Sequence, residues 1–127
     1  MKIQLRESQI EDSILKYLGT VALGMGLSFW KIKASGQPVM VYGKLLLKKS
    51  HIPGFSDILI CIHGHMLCVE VKSADGRQQE IQKIFEDKVL RGGGIYWLIR
   101  DLGDFIERLE GLWRVINHKQ KSEQSQI

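Results

Sequence analysis

The chain has 127 residues, enough for one domain with a real core and too few for several. Its composition is that of an ordinary globular protein, and no apolar run reaches the roughly 18 residues that a membrane span needs. A net charge of +4 and a pI near 9.1 lean basic, which suits a polyanion partner without requiring one.

The opening residues do not read as a secretory signal, so a cytoplasmic setting is expected, with Cys61 and Cys68 reduced and packed. A first helix is expected over 7–23, where Ile10, Ile14, Leu18 and Val21 recur at helical spacing. Glu7 stands three residues before Ile10 and continues that stripe at its tip. Ser8 and Glu11 have the spacing of a capping box, and Gly24 and Gly26 end the helix. Residues 27–33 mix aromatic and basic side chains (Phe29, Trp30, Lys31, Lys33) and read as a strand. After Gly36-Gln37-Pro38, residues 39–42 form a short second strand. Residues 43–54 read as a loop carrying Lys44, Lys48, Lys49 and His51, with Leu45-Leu46-Leu47 extending or flanking the strand. Its lysines can hold phosphates or simply be solvated.

Residues 58–62 and 66–71 are β-branched and aliphatic, and His63-Gly64-His65 between them makes a hairpin. Gly64-His65 fits a two-residue II′ turn. That register sets Asp57 opposite Lys72 and Leu59 opposite Glu70. Side chains alternate, so Asp57, Glu70 and Lys72 share a face, with Asp57 diagonal to Glu70 and within about 8 Å. A polar turn over 73–77 follows, then a second helix over 78–91 with Ile81, Ile84, Phe85 and Val89 as its buried stripe. Gln82 lies beside that stripe, placed either to face the hairpin or to lie on the surface. Gly92-Gly93-Gly94 ends the helix, and residues 95–99 read as a central strand. Asp101 or Asp104 caps a third helix with Phe105, Ile106, Leu109, Leu112 and Trp113 inward. From His118 the chain is polar and is expected to fray, which sets one domain over 1–117 and a tail over 118–127. The order is α-β-β-β-β-α-β-α: an α/β fold with one mixed sheet flanked by helices.

Two carboxylates and an ammonium at one end of an apolar hairpin have a chemical use. Hard divalent cations such as Mg²⁺ take oxygen ligands, lower the pKa of water and neutralise charge on phosphate. A lysine beside them can orient that water. The plainer alternative is a salt-bridged strand pair.

With these residues in place the chain resembles a known family. Gly54-Phe55-Ser56-Asp57, then Glu70-Val71-Lys72, Gly76-Arg77, Gln82 and the triple glycine are similar to the VRR-NUC domain. That is the virus-type replication-repair nuclease branch of the PD-(D/E)xK superfamily, with a restriction-endonuclease-like fold. The Arg6-Glu7-Ser8-Gln9-Ile10 opening belongs to the resemblance, which covers nearly the whole chain. It implies a Mg²⁺- or Mn²⁺-dependent DNA endonuclease. Asp57, Glu70 and the main-chain carbonyl of Val71 would hold the ion. Lys72 would serve the attacking water, Gln82 would brace the site, and Glu7 would position metal or water, with Glu11 as second choice. Lys31, Lys33, Lys44, Lys48, Lys49 and Arg77 would contact DNA. Ser56 stands where the family usually has proline, which bears on how the chain approaches Asp57. Stand-alone phage-like members resemble homodimers that cut branched DNA such as four-way (Holliday) junctions in repair, in a bacterial or phage-infected cell.

Other readings stay open. A non-catalytic nucleic-acid binding module could use the same fold, and a restriction-type nuclease would act on linear duplex. Cys61, His63, His65 and Cys68 invite zinc, against which stands the absence of a Cys-x-x-Cys knuckle.

Overall fold

A computed structural model describes residues 4–32, 37–41, 44–48 and 52–124, with the backbone alone for 37–41, 44–48 and 123–124. Helix α1 (Glu7–Met25) buries Ile10, Ile14 and Leu18, the stripe that its spacing dictates. There follow β1 (Leu27–Lys31), β2 (Gln37–Val41), β3 (Lys44–Lys48), β4 (Ile58–Ile62), β5 (His65–Val71), α2 (Glu80–Arg91), β6 (Ile95–Ile99) and α3 (Leu102–Gln124). Strands β1, β4, β5 and β6 form a four-stranded sheet in that order. The first two pairings are antiparallel and β5–β6 is parallel, so the sheet is mixed. A parallel pair needs a crossover, and α2 supplies it. The fold is α/β, a mixed sheet flanked by helices, as the sequence pattern implies.

The two faces of the sheet differ. Ile58, Ile60, Ile62, Leu67, Val69 and Val71 point to one face, where they pack with Ile10, Ile14, Leu18, Phe105, Leu109 and Ile116 from α1 and α3. Phe105 is fully buried and meets Tyr17 and Trp97 edge to face, each at 6.2 Å between ring centres. The opposite face carries a smaller cluster of Cys68, Phe85, Val89 and Tyr96, with Phe55 and Leu59 against it. Each fully buried aliphatic or aromatic side chain contributes about 1.5–3 kcal/mol. The α1–α3 side therefore dominates stability, and the thinner α2 side can carry polar groups. Strand alternation puts Glu70 and Lys72 on that thinner side with Cys68.

Several expectations are corrected. Ile62 pairs with His65, so the turn is His63-Gly64 rather than Gly64-His65. Both turn residues have positive φ, 47° and 83°, the signature of a I′ rather than a II′ turn. His63 is held there by its ring: Nε2 meets the Met25 carbonyl at 3.0 Å and Nδ1 meets the Gln120 amide at 3.3 Å. The register consequently moves by two residues, with Ile58 opposite Val69. Continued outward, it sets Asp57 across from Glu70 rather than Lys72. A two-residue slip leaves every side chain on its own face, so the convergence survives.

Residues 44–48, read as loop, form β3, which pairs with β2 as a separate two-stranded ribbon. Strand β6, read as central, lies at the end of the sheet. Its apolar run is explained by helices on both faces: Tyr96 meets Phe85 of α2, and Trp97 meets Phe105 of α3. On α2 only Phe85 and Val89 are buried, and Ile81 and Ile84 are exposed. The cap of α1 lies earlier than Ser8: the Arg6 amide donates to the Gln9 side chain at 2.9 Å. Helix α3 continues past His118 to Gln124, where a tail was expected. Among the described residues, no helix is long and apolar enough to cross a membrane.

Candidate active site

Asp57 is delivered by a constrained approach. Gly54 has φ +74°, and a Cβ there would stand 2.3 Å from the Ile81 carbonyl oxygen, so only glycine fits. Ser56 is buried and its hydroxyl donates to the Ile58 carbonyl at 3.3 Å. That bond fixes the bend in the place where the resemblance would put a proline. Asp57 Oδ2 then accepts the Val71 amide at 2.7 Å. In a pleated strand a residue's N–H and C=O lie on the same edge, so the Val71 carbonyl faces the Asp57 side as well.

Glu70 is the most constrained member. It is 2 % exposed, and Lys72 beside it is 7 % exposed. Glu70 Oε1 accepts from Gln82 Nε2 at 2.9 Å and lies 3.8 Å from Lys72 Nζ. Gln82 is itself locked, because its Oε1 accepts the Gln79 amide at 2.8 Å and caps α2. Glu70 Oε2 is buried and meets no N–H or hydroxyl donor among the described residues, which leaves the Asp57 carboxyl, close enough to share a proton with it, as its partner. Burial, and next the charge of Asp57, push the Glu70 carboxyl from 4.5 up to about 8, against the pull of Lys72. Burial also raises Asp57, opposed first by the Val71 amide.

Helix α1 brings two more acids. The charge of Glu7 acts on both Asp57 and Glu70. The Glu7 carboxylate also abuts Gly76, where an added Cβ would lie 3.1 Å from its Oε1. Glu11 is raised by burial and then by Asp57, but it is engaged by Lys31 at 3.7 Å. Of the two, Glu7 has no cationic partner among the described residues, and its charge reaches both strand carboxylates. Beside it an open groove of about 610 Å³ is lined by Gln4, Leu5, Arg6, Glu7, Ser8 and Ser73.

The structure thus brings together Asp57, Glu70, Lys72, Gln82 and Glu7. The basic residues are less gathered. Arg77 is exposed beside the Gly76 turn, and Lys31 is turned to Glu11. Lys33, Lys49 and His51 lie outside the described residues, and so do the side chains of Lys44 and Lys48. Two features escaped sequence reading. Gln78 Nε2 donates to Glu86 Oε1 at 3.1 Å and to the Tyr96 hydroxyl at 3.2 Å, bracing α2 on β6. Arg100 reaches back to main-chain carbonyls of the 73–76 turn. Neither has a local sequence signal, since both contacts span long stretches of chain.

Asp57 and Glu70 suit a hard cation. Burial raises both carboxyls and the charge of Asp57 raises Glu70 further, a strain that a positive ion bound between them would relieve. The Val71 carbonyl offers a third oxygen on the same side. Among the described residues there is no group of three or more His, Cys, Asp or Glu side chains that could hold a metal, so such an ion would rest on these two acids, the carbonyl and water. The same finding covers the Cys/His turn, where His63 is committed to Met25 and Gln120. Comparison with protein-family models, with curated proteins and with solved structures found no match for the chain.

Proposed function

We propose that this protein is a Mg²⁺- or Mn²⁺-dependent DNA endonuclease of the VRR-NUC type, hydrolysing phosphodiester bonds and selective for branched DNA. The observation that carries the reading is the buried Asp57–Glu70 carboxyl pair, in which Glu70 Oε1 is held by Gln82 and Lys72 while Oε2 has no donor but a proton shared with Asp57. A carboxylate kept only for a salt bridge would not need a second carboxyl beside it at 2 % exposure.

Asp57 and Glu70, with the Val71 carbonyl, would hold the ion. When bound, a divalent ion supplies water acidification and charge neutralisation at phosphate. Lys72 lies on the same face and can orient the attacking water and meet charge growing on the phosphate. The water oxygen bonds to phosphorus as the bond to the 3′ oxygen breaks, giving a 5′-phosphate and a 3′-hydroxyl. Gln82 keeps Glu70 in one rotamer, so the ligand geometry needs no rearrangement when substrate arrives. Arg77, exposed beside the Gly76 turn, would contact the DNA backbone. A homodimer would present two such centres to the two strands of a symmetric junction.

The test is cleavage of a labelled four-way junction beside linear duplex and single-stranded DNA, in Mg²⁺, Mn²⁺ or EDTA, by wild type and Lys72→Ala. Paired, metal-dependent cuts in the junction that vanish in Lys72→Ala are expected. Cutting of linear duplex alone removes the junction preference. Binding without cutting in every metal replaces the nuclease with a non-catalytic binding module.

A further inference from the structure

The chain leaves β5 at Lys72 and turns sharply before α2. That 73–76 turn is closed by the Gly76 amide on the Ser73 carbonyl at 3.1 Å. It is held from outside by Arg100, the residue that follows β6. Arg100 Nη1 donates to the carbonyls of Ser73 at 2.6 Å, Gly76 at 2.7 Å and Ala74 at 3.3 Å. One guanidinium therefore gathers three carbonyls of the turn through charge-assisted hydrogen bonds, stronger than neutral ones. The strand end is tied to the same place, because the Lys72 amide donates to the Ile99 carbonyl at 3.0 Å.

The other side of this turn receives α1. Gln4 Nε2 donates to Asp75 Oδ2 at 3.0 Å. Glu7 Oε1 lies so close to Gly76 that an added Cβ would stand 3.1 Å away. The start of α1 thus docks on the turn at two points, and one of them is the carboxylate whose charge reaches Asp57 and Glu70. Glu7 is exposed in the first turn of its helix. The turn supplies the wall, and Arg100 supplies the rigidity of the wall.

We propose that Arg100 is a positioning residue, acting through the 73–76 turn to hold Glu7 against the Asp57–Glu70 pair. It touches neither substrate nor ion. The proposal rests on the metal-dependent nuclease reading for the activity that it modulates. Residues that orient a ligand from behind typically matter 10–100-fold in metal affinity or rate.

The experiment compares wild type, Arg100→Ala, Arg100→Lys, Glu7→Gln and the Arg100→Ala/Glu7→Gln double variant. Two quantities are read: Mn²⁺ affinity by calorimetry, and kcat and KM on a labelled junction. Thermal melting establishes that each variant is folded. Arg100→Ala is expected to weaken Mn²⁺ binding or lower kcat by about 10–100-fold with KM for DNA unchanged. Arg100→Lys, which keeps a donor for some of the carbonyls, recovers part of the loss. The double variant behaves as Glu7→Gln alone, because the effect runs through Glu7. A merely structural role would instead lower Arg100→Ala and the double variant by the same factor relative to their parents, and that result overturns the proposal. Wild-type values in Arg100→Ala overturn it too, leaving the nuclease reading intact. Mn²⁺ binding by wild type without cleavage removes the nuclease reading, and the affinity series alone then decides the role of Arg100. Neither binding nor cleavage by wild type overturns both.

Discussion

Replacing Glu70 by glutamine separates what the site needs for stability from what it needs for chemistry. Burial and then Asp57 raise the Glu70 carboxyl from 4.5 to about 8. A folded pKa above the unfolded one means that the folded state holds the proton more tightly. The associated stability is fully present below about pH 4.5 and is lost as pH rises through about 8. At about 1.36 kcal/mol per unit, the ceiling on the cost of an ionised Glu70 above that window is ~5 kcal/mol. Glutamine keeps the shape and can still pair with Gln82, so that cost disappears. It also takes from Lys72 its partner at 3.8 Å, although Asp57 remains as a counter-charge. The first effect wins, and Glu70→Gln is expected to be about 1–3 kcal/mol more stable than wild type near pH 9, close to equal near pH 5, and inactive as a nuclease. Urea unfolding in EDTA across that range measures it. Parallel profiles for the two proteins, or a variant weaker at high pH than at low, would refute the reasoning.

Other perturbations test neighbouring parts of the structure. Gly54→Ala forces a Cβ to within 2.3 Å of the Ile81 carbonyl at φ +74°, and should cost about 2–4 kcal/mol in urea unfolding; a change below about 0.5 kcal/mol would contradict that close approach. Gln82→Glu preserves the cap on the Gln79 amide but exchanges the donor to Glu70 for an acceptor. It should lose about 1–3 kcal/mol near neutral pH and most of its cleavage activity, whereas a variant with both unchanged would show that Gln82 does not brace Glu70. Saturating Mn²⁺ should raise the melting temperature of wild type, by about 2.7 kcal/mol of stabilisation at a hundredfold excess over Kd, and should not raise that of Asp57→Asn. An equal rise in both would place the ion elsewhere.

The parts of this protein that local chemistry specifies were legible in its sequence. The stripe of α1, the β-branched runs of β4 and β5, and the glycine-rich helix end before β6 all follow from spacing and residue type. The shared face of Asp57, Glu70 and Lys72 followed from alternation alone, which is why a two-residue error in register did no harm. The turn itself was misplaced because His63 takes a positive φ only with help from Met25 and Gln120, which are far along the chain. Strand β3 was hidden by lysines at both of its ends. The stripe of α2 was ambiguous because Ile81 and Ile84 lie at helical spacing next to Phe85 and Val89, and only packing on Cys68 and Tyr96 selects Phe85 and Val89. Within the site, the role of Gln82 was legible as a choice between facing the hairpin and lying on the surface, and its bond to Glu70 selects the first. Arg100 was invisible because an arginine after a strand reads as a solvated charge, and its partners are turn carbonyls more than twenty residues earlier.

The central claim, that Asp57 and Glu70 form a metal-dependent phosphodiesterase site, is tested most directly by the rate of Mn²⁺-dependent cleavage of a labelled four-way junction by wild type and by Asp57→Asn of equal melting temperature. Loss of a ligand that supports several kcal/mol of charge stabilisation should slow cleavage by about 10³-fold or more, with EDTA abolishing the activity of wild type. Undiminished cleavage by Asp57→Asn would contradict the claim and move the chemistry away from this hairpin.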